Sequence, residues 1–289
     1  MQLVVNIVVL TSIYALVSCG YVLIYRVSRV LNLAHGELMM VGAYLLLVTA
    51  GFITNPMVAI PVAAILSLVT GALVYLFLMR RMTGESVLAA ILTTIALGIL
   101  LRGLIVIFFS AAHQYPSVPL GLHSSSIEIL PGARISSLSL ILVGVTAAVY
   151  AGLFAALRLS RWGLRMRAAG QNPLLAAQRG INLHLIYALV WGIAVFTGSI
   201  AGMLISLDAG LDQTLVLIGL KAFPAALVGG LDSLLGALVG SLIVAAAEVL
   251  LIQYVNPLLA DVVPFLILIV MLVFRPWGLF GTREALDRV

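Results

Sequence analysis

LNLAHGELMMVGAY occupies residues 31–44. Asn32, His35 and Glu37 cluster there around Gly36, with apolar runs on both sides and Arg26 and Arg29 just before them. Whether this polar knot is a surface turn or part of a membrane helix depends on its surroundings. The 289-residue chain is 63% hydrophobic and 9% charged, with a mean hydropathy of +1.25. Soluble domains are about 45–50% apolar and about 25% charged. The surplus exceeds what one core can hide, so lipid is the solvent for most of the chain and the knot belongs to a membrane helix.

One crossing needs ~20 mostly apolar residues. Nine stretches qualify: roughly 3–25, 33–52, 57–79, 86–110, 138–158, 184–207, 214–231, 234–255 and 261–279. The second and seventh are interrupted by polar residues or by Gly and Pro, and are read as broken or re-entrant. The expected fold is an all-α integral membrane protein, a polytopic bundle of about 8–9 transmembrane helices with broken or re-entrant segments. It forms one transmembrane domain over residues 1–289. The knot at 32–37 and GLKAFPAALVGG at 219–230 hold similar places in the two halves, the pattern of an inverted repeat. Gly198–Gly202 and Gly236–Gly240 set small residues four apart, as close helix packing in lipid requires.

The net charge is +5 and the pI about 9.7. The basic residues stand at the ends of apolar runs, which marks topology rather than a surface that tracks nucleic acid. Nine crossings put 12 of the 15 Lys and Arg residues on one face, including Arg275, Arg283 and Arg288 near the C-terminus. Arg134 falls opposite, in the 111–137 loop, while Arg102 and Lys221 lie within spans. The positive-inside rule makes the rich face cytoplasmic, with the N-terminus outside and the C-terminus inside. The lone Cys19 has no disulfide or zinc partner spacing. LVSC ending at Cys19 resembles a lipoprotein cleavage site, but residues 1–18 hold no Lys or Arg, so 3–25 is read as a retained span. His113 and His123 in the outer loop lack the further ligands a metal needs. That loop is read as a solvated external loop, with the alternative that an external partner lands there.

An ionised group at the bilayer centre costs ~2.5–3.5 kcal/mol on insertion scales, so each needs a partner or water. The groups concerned are Glu37, Arg102, Lys221 and Glu248, beside the neutral Asn32 and His35. Two readings of the knot stand side by side. In one, Asn32 caps the second span and Glu37 favours its positive end. In the other, Asn32, His35 and Glu37 line a translocation path or its inner gate. Arg102 either snorkels outward or pairs with Glu248. Lys221, just before Phe223–Pro224, either meets a carboxylate or lines water at a helix break. No HExxH, GxSxG or GxxxxGK[ST] pattern occurs, so no catalytic, cofactor or metal set is assigned. Any ATP site belongs to another subunit.

Residues 158–182, RLSRWGLRMRAAGQNPLLAAQRGIN, form the longest basic loop, within a coupling segment of about 159–183. Asn172 and Pro173 start a short helix over about 173–179, and Gly180 stops it. It either docks into a groove on a cytoplasmic partner or touches anionic lipid heads.

Three stretches carry a family resemblance: GYVLIYRVSRVLNLAHGELMMVGAY (20–44), MRAAGQNPLLAAQRGIN (166–182), and GLKAFPAALVGGLDSLLGALVGSLIVAAAE (219–248) with DVVPFLILIVMLVFRPWGLFG (261–281). The chain resembles permease subunits of branched-chain amino-acid ABC transporters, the LivH/LivM family, and more closely its LivH branch. Leu33 stands where that family's Asn-Phe-Ala-His-Gly-Glu signature has Phe. The resemblance implies a bacterial inner-membrane permease without a cofactor, working by alternating access. Its partners would be a second permease (the same chain or a similar one), two cytoplasmic ATP-binding subunits and a periplasmic substrate-binding protein. It places ATPase coupling on Asn172, Pro173, Ala176, Gly180 and Asn182. It leaves the solute open, since similar proteins move other amino acids, urea or short amides. The competing reading is an ion-coupled secondary transporter using Glu37, Glu248 or Lys221. A polytopic membrane enzyme would need a nucleophile–base set that the chain lacks.

Overall fold

The computed structural model describes residues 1–282. Arg283 and Arg288, two of the arginines that set the orientation, lie outside the described residues. In chain order the α-helices are α1 (Gln2–Ser28), α2 (His35–Phe52), α3 (Pro56–Phe77), α4 (Val87–Phe109), α5 (Ser137–Leu159), α6 (Arg161–Gln171), α7 (Pro173–Gln178), α8 (Leu183–Ala209), α9 (Leu215–Gly229), α10 (Leu234–Tyr254) and α11 (Val263–Phe274). Each of the nine predicted stretches carries one apolar helix. Seven are long and apolar enough to cross a membrane, and α9 and α11 are shorter. The fold is all-α and polytopic.

Helix starts follow local chemistry. Asn55, Ser86, Ser136, Ser160, Asn172, Asn182 and Ser233 each accept a backbone N–H of the helix that follows. α2 and α9 have no such side-chain cap. The first helical residue of each, His35 and Leu215, is buried.

Packing places α1 and α8 at the centre. In the apolar windows of these two helices 67% and 72% of residues are buried, against 17% in α4 and in α5. α4 and α5 therefore offer most of their surface to lipid or to a partner. The ends of α1 and α5, with α6 and the start of α10, bring Arg26, Arg158 and Arg167 together beside Asp232, which defines a basic face.

The depth of α2 follows from its contacts with α8. His35, its first residue, lies against Gly198. Gly198 is 15 residues into α8, about 22 Å from the basic end at 1.5 Å per residue. The chain after Arg29 therefore turns back into the bundle before α2 starts, and Leu33 N–H donates to Thr94 of α4 at 3.2 Å on the way. From there α2 runs away from the basic face. α9 has the mirror arrangement. Leu211 pairs with Gln114 in the loop on the opposite face, yet Val216 and Gly219 already touch Gly36. α9 then runs to the basic face, where Gly230 meets Gly281 and Asp232 accepts from Thr282. α2 and α9 thus touch at Gly36 and Gly219, near the start of each, and leave in opposite directions.

The 111–137 loop holds more structure than a plain solvated loop. Strands β1 (Ser126–Leu130) and β2 (Ala133–Ser136) form an antiparallel hairpin. Ser124, Ser136 and Ser139 hydroxyls donate to Asp208 at the end of α8, at 2.7, 2.8 and 3.1 Å. His113 meets Asp212 at 3.3 Å. These ties fix the loop over the end of the bundle. The basic segment likewise holds α6, a helix that the sequence reading did not anticipate.

Candidate translocation site and coupling helix

The junction of α1, α2, α8 and α9 depends on small residues. A Cβ on Gly219 would overlap the Cα of Gly36, and one on Gly36 would lie 3.0 Å from the Val216 carbonyl. Gly20 and Gly198 make room for the His35 ring in the same way. That ring is fully buried and stacks edge-on with Tyr21, centroids 4.6 Å apart. Tyr21 in turn donates to the Gly219 carbonyl at 3.3 Å. Neither His35 nitrogen has a partner with hydrogen-bond geometry, although the Val17 carbonyl faces the ring.

Asn32 is also buried. It does not cap α2, as one reading of the sequence expected. Its Oδ1 accepts the Ala34 N–H at 3.1 Å, in the turn before the helix, and its Nδ2 has no partner. Ala34 is the N-cap residue. The start of α2 therefore presents its positive end, uncapped, near the middle of the bundle.

Glu37, in the first turn of α2, pairs with Arg102 of α4 at 2.8 Å. Gly98 admits the carboxylate, since a Cβ there would lie 3.1 Å from it. This corrects the Arg102–Glu248 pairing considered from sequence and the outward snorkel of Arg102. The Arg102 side chain is half exposed although it lies 15 residues into a 23-residue helix. A guanidinium at that depth is stable only if water or another protein surface covers it. Replacing Glu37 with Gln leaves it without a counter-charge. The cost is bounded by the ~2.5–3.5 kcal/mol of an unpaired arginine and reduced by the water reaching its exposed half. The expected result is a lowered thermal unfolding midpoint in detergent for E37Q, restored when Arg102→Gln is added. A midpoint unchanged in E37Q would show that the pair does not hold α2 to α4.

Lys221 lies elsewhere. Its ammonium donates to Glu248 of α10 at 2.7 Å and to Asp261, before α11, at 2.7 Å. Tyr14 of α1 donates to the other Glu248 oxygen at 2.6 Å. The structure thus divides the predicted polar residues into two groups. Asn32, His35 and Glu37 gather at the central junction, while Lys221 joins a cluster linking α1, α9, α10 and the approach to α11. Tyr14, Gly219 and Asp261 belong to these groups and were not picked out from the sequence. Only the GLKAFP break hinted at Gly219.

On the basic face, α7 matches the expected short helix within one residue. Asn172 Oδ1 accepts the Leu175 N–H at 3.0 Å, and Asn182 caps α8 through Leu185 at 3.1 Å. Gly180 takes φ +79°, a conformation that favours glycine, and Ile181 N–H closes back onto the Ala176 carbonyl at 3.1 Å. Ala176 is buried while Leu174 and Leu175 are exposed. Pro173, Leu174 and Ala177 line a cavity of about 480 Å³ together with Val30, Tyr75 and Trp191. The helix on the surface and the segment leading to the broken start of α2 thus share one cavity.

Residues 3–272 match the family model described as "Branched-chain amino acid transport system / permease component". The chain is 30% identical over 298 residues to the high-affinity branched-chain amino acid transport system permease protein BraD of Pseudomonas aeruginosa, covering 98% of this chain and 96% of that one. It is 30% identical to the corresponding permease protein LivH of Escherichia coli K12, covering 96% and 94%. It is 26% identical to the probable branched-chain amino acid transport permease protein LivH of Methanocaldococcus jannaschii, covering 95% and 90%. No solved structure matches. With a family model over nearly its full length and relatives at this identity, the chain belongs to the family of branched-chain amino acid transport permeases.

Proposed function

We propose that the chain is the membrane-spanning subunit of an ATP-driven ABC importer for branched-chain or similar small amino acids. It acts as one transmembrane permease unit. The arginine-rich face is cytoplasmic, which puts the N-terminus outside and the C-terminus inside the bacterial inner membrane. A second permease, the same chain or a similar one, covers the open side of α4. Two ATP-binding subunits dock on α7 and a periplasmic binding protein on the hairpin face. The chain itself catalyses nothing, and ATP is hydrolysed on the partners.

The observation that carries this reading is the meeting of the starts of α2 and α9 at Gly36 and Gly219, beside the Glu37–Arg102 pair, whose arginine is half exposed. Helices broken at mid-membrane place positive ends and unpaired backbone groups where a polar solute passes. A small amino acid is a zwitterion with an apolar side chain. The starts of α2 and α9 favour its carboxylate, the unpartnered Asn32 amide offers a donor, and Glu37 favours its ammonium. The close glycine contact represents the shut state of that passage.

Coupling follows from the shared cavity on the basic face. A displacement of α7 deforms the wall that also contains Val30, and through residues 29–34 it reaches the start of α2. Closure of the ATP-binding subunits draws the two α7 helices of the assembly together and opens the bundle outward. Hydrolysis resets it. Such a cycle needs contacts that differ between the two states, not tight solute binding.

Membrane vesicles containing the assembled complex test this. Uptake of labelled leucine requires ATP and the binding protein, persists with an ionophore present, and is competed by valine and isoleucine. Uptake that survives ATP depletion and collapses with the ionophore would replace this reading with an ion-coupled transporter. Competition by urea or acetamide instead of valine would keep the ATP-driven mechanism and change the solute.

A further inference from the structure

We propose that α6 and the groove beneath it form a binding site for one anionic phospholipid of the cytoplasmic leaflet. A cavity of about 520 Å³ lies between α1, α5 and α8 on the basic face. Its walls are aliphatic, from Leu23, Leu153, Leu189 and Ile193, and its roof is Trp162 and Met166 of α6. It suits an acyl chain and offers almost nothing to a polar solute.

The mouth of the cavity has the opposite character. Residues 158–182 contain five arginines and no Asp or Glu. Two of the arginines are tied to α5. Arg158 stacks on Phe154, 4.2 Å from the ring centroid, and Arg167 donates to the Leu157 carbonyl. Arg161 and Arg165 are exposed and have no carboxylate partner among the described residues. Arg161 sits between Ser160 and Trp162, which both line the cavity, and Arg165 stacks over Trp162 at 5.2 Å. Trp162 is itself partly exposed, as suits an indole at a membrane–water boundary.

The occupant must therefore be apolar along one part and anionic at its end, at the level where spans meet a basic surface helix. A phospholipid with a phosphate head meets all three requirements, and basic pockets between spans on the cytoplasmic side bind such heads. A helix from the second permease would need a carboxylate placed at the same height. The bound lipid would brace α6, which leads directly into α7, so its presence would set how firmly the coupling helix is held. This inference is independent of which solute is transported.

Native mass spectrometry of the full complex, purified in mild detergent and titrated with phosphatidylglycerol or phosphatidylcholine, tests it. Phosphatidylglycerol should be retained about tenfold or more over phosphatidylcholine, the scale set by two arginines at an anionic surface. The R161Q/R165Q variant should lose that preference. Ala156→Phe, at an exposed position on the cavity wall, should lower retention of both lipids while the arginines remain. Undiminished preference in R161Q/R165Q would overturn the head-group assignment, and unchanged retention in Ala156→Phe would overturn the chain assignment. A photo-crosslinker at position 156 that captures a protein subunit rather than lipid would overturn the proposal altogether. Because the arginines are exposed and have no carboxylate partner among the described residues, their replacement should leave folding intact, as size-exclusion profiles will show.

Discussion

A chain with a Gly/Ser linker of equal length in place of Pro173–Gln178 should insert into the membrane in normal amount, retain none of the ATP-binding subunits in a pull-down, and support no ATP-driven uptake. A helix of six residues is far below the length of ~12–15 at which isolated helices become marginally stable. α7 persists because its ends and one face are fixed. Asn172 satisfies the Leu175 N–H, Pro173 supplies the pre-set φ of the first turn, and Gly180 allows the chain to reverse. Removing an N-cap of this type typically costs ~1 kcal/mol. The linker removes all of these devices and the buried Ala176, while both flanking spans keep their own lipid-facing and buried surfaces. Exposed Leu174 and Leu175 are the side chains that a partner groove would take. A milder variant, Leu174→Asp with Leu175→Asp, should keep α7 and still release the ATP-binding subunits. Subunits retained by both variants would move the coupling site elsewhere on the basic face.

The same contrast explains how much the sequence reveals. Spans are legible because lipid demands about 20 apolar residues in a row, a local requirement with little ambiguity. The Asn172, Pro173 and Gly180 signals are legible because caps and turns are settled within a few residues. The weakness of spans two and seven is also visible, in the polar knot and in GLKAFP. What cannot be read is depth. Counting residues from Arg29 puts Glu37 near the cytoplasmic edge, far from Arg102. In the structure residues 29–34 re-enter the bundle, which raises Glu37 to the level of Arg102, 65 positions away. Without that re-entry, residue counting brings Glu248, not Glu37, near Arg102. The glycine contact between Gly36 and Gly219 is hidden for the same reason. Neither residue stands out until two helices from different halves are brought to one point. α6 escaped notice because its many arginines resemble a loop to any reading based on hydropathy.

The Lys221 cluster gives the largest expected effect on stability. Glu248 is 4% exposed, and its two oxygens take Tyr14 and Lys221. Replacing Glu248 with Leu leaves an ammonium with a 14% exposed side chain facing an apolar wall, with Asp261 as its remaining counter-charge. Breaking a buried pair from one side costs about 3–5 kcal/mol, because the surviving charge is stranded. The exposed Asp261 relieves part of this, so Glu248→Leu should fall at the lower end. Lys221→Met strands Glu248 with only a phenol and should fall higher. The double variant removes both charges, and replacement of a buried pair by apolar groups of similar size is close to neutral. It should therefore be more stable than either single variant, an interaction energy measurable from unfolding in detergent with added denaturant. Asp261→Asn provides the control. Its side chain is 75% exposed, so its pairing is screened and worth at most about 1 kcal/mol. If Asp261→Asn destabilises as much as Glu248→Leu, the lysine is held from the approach to α11 rather than from α10. The tie between α9 and α10 would then be weaker than its buried geometry indicates.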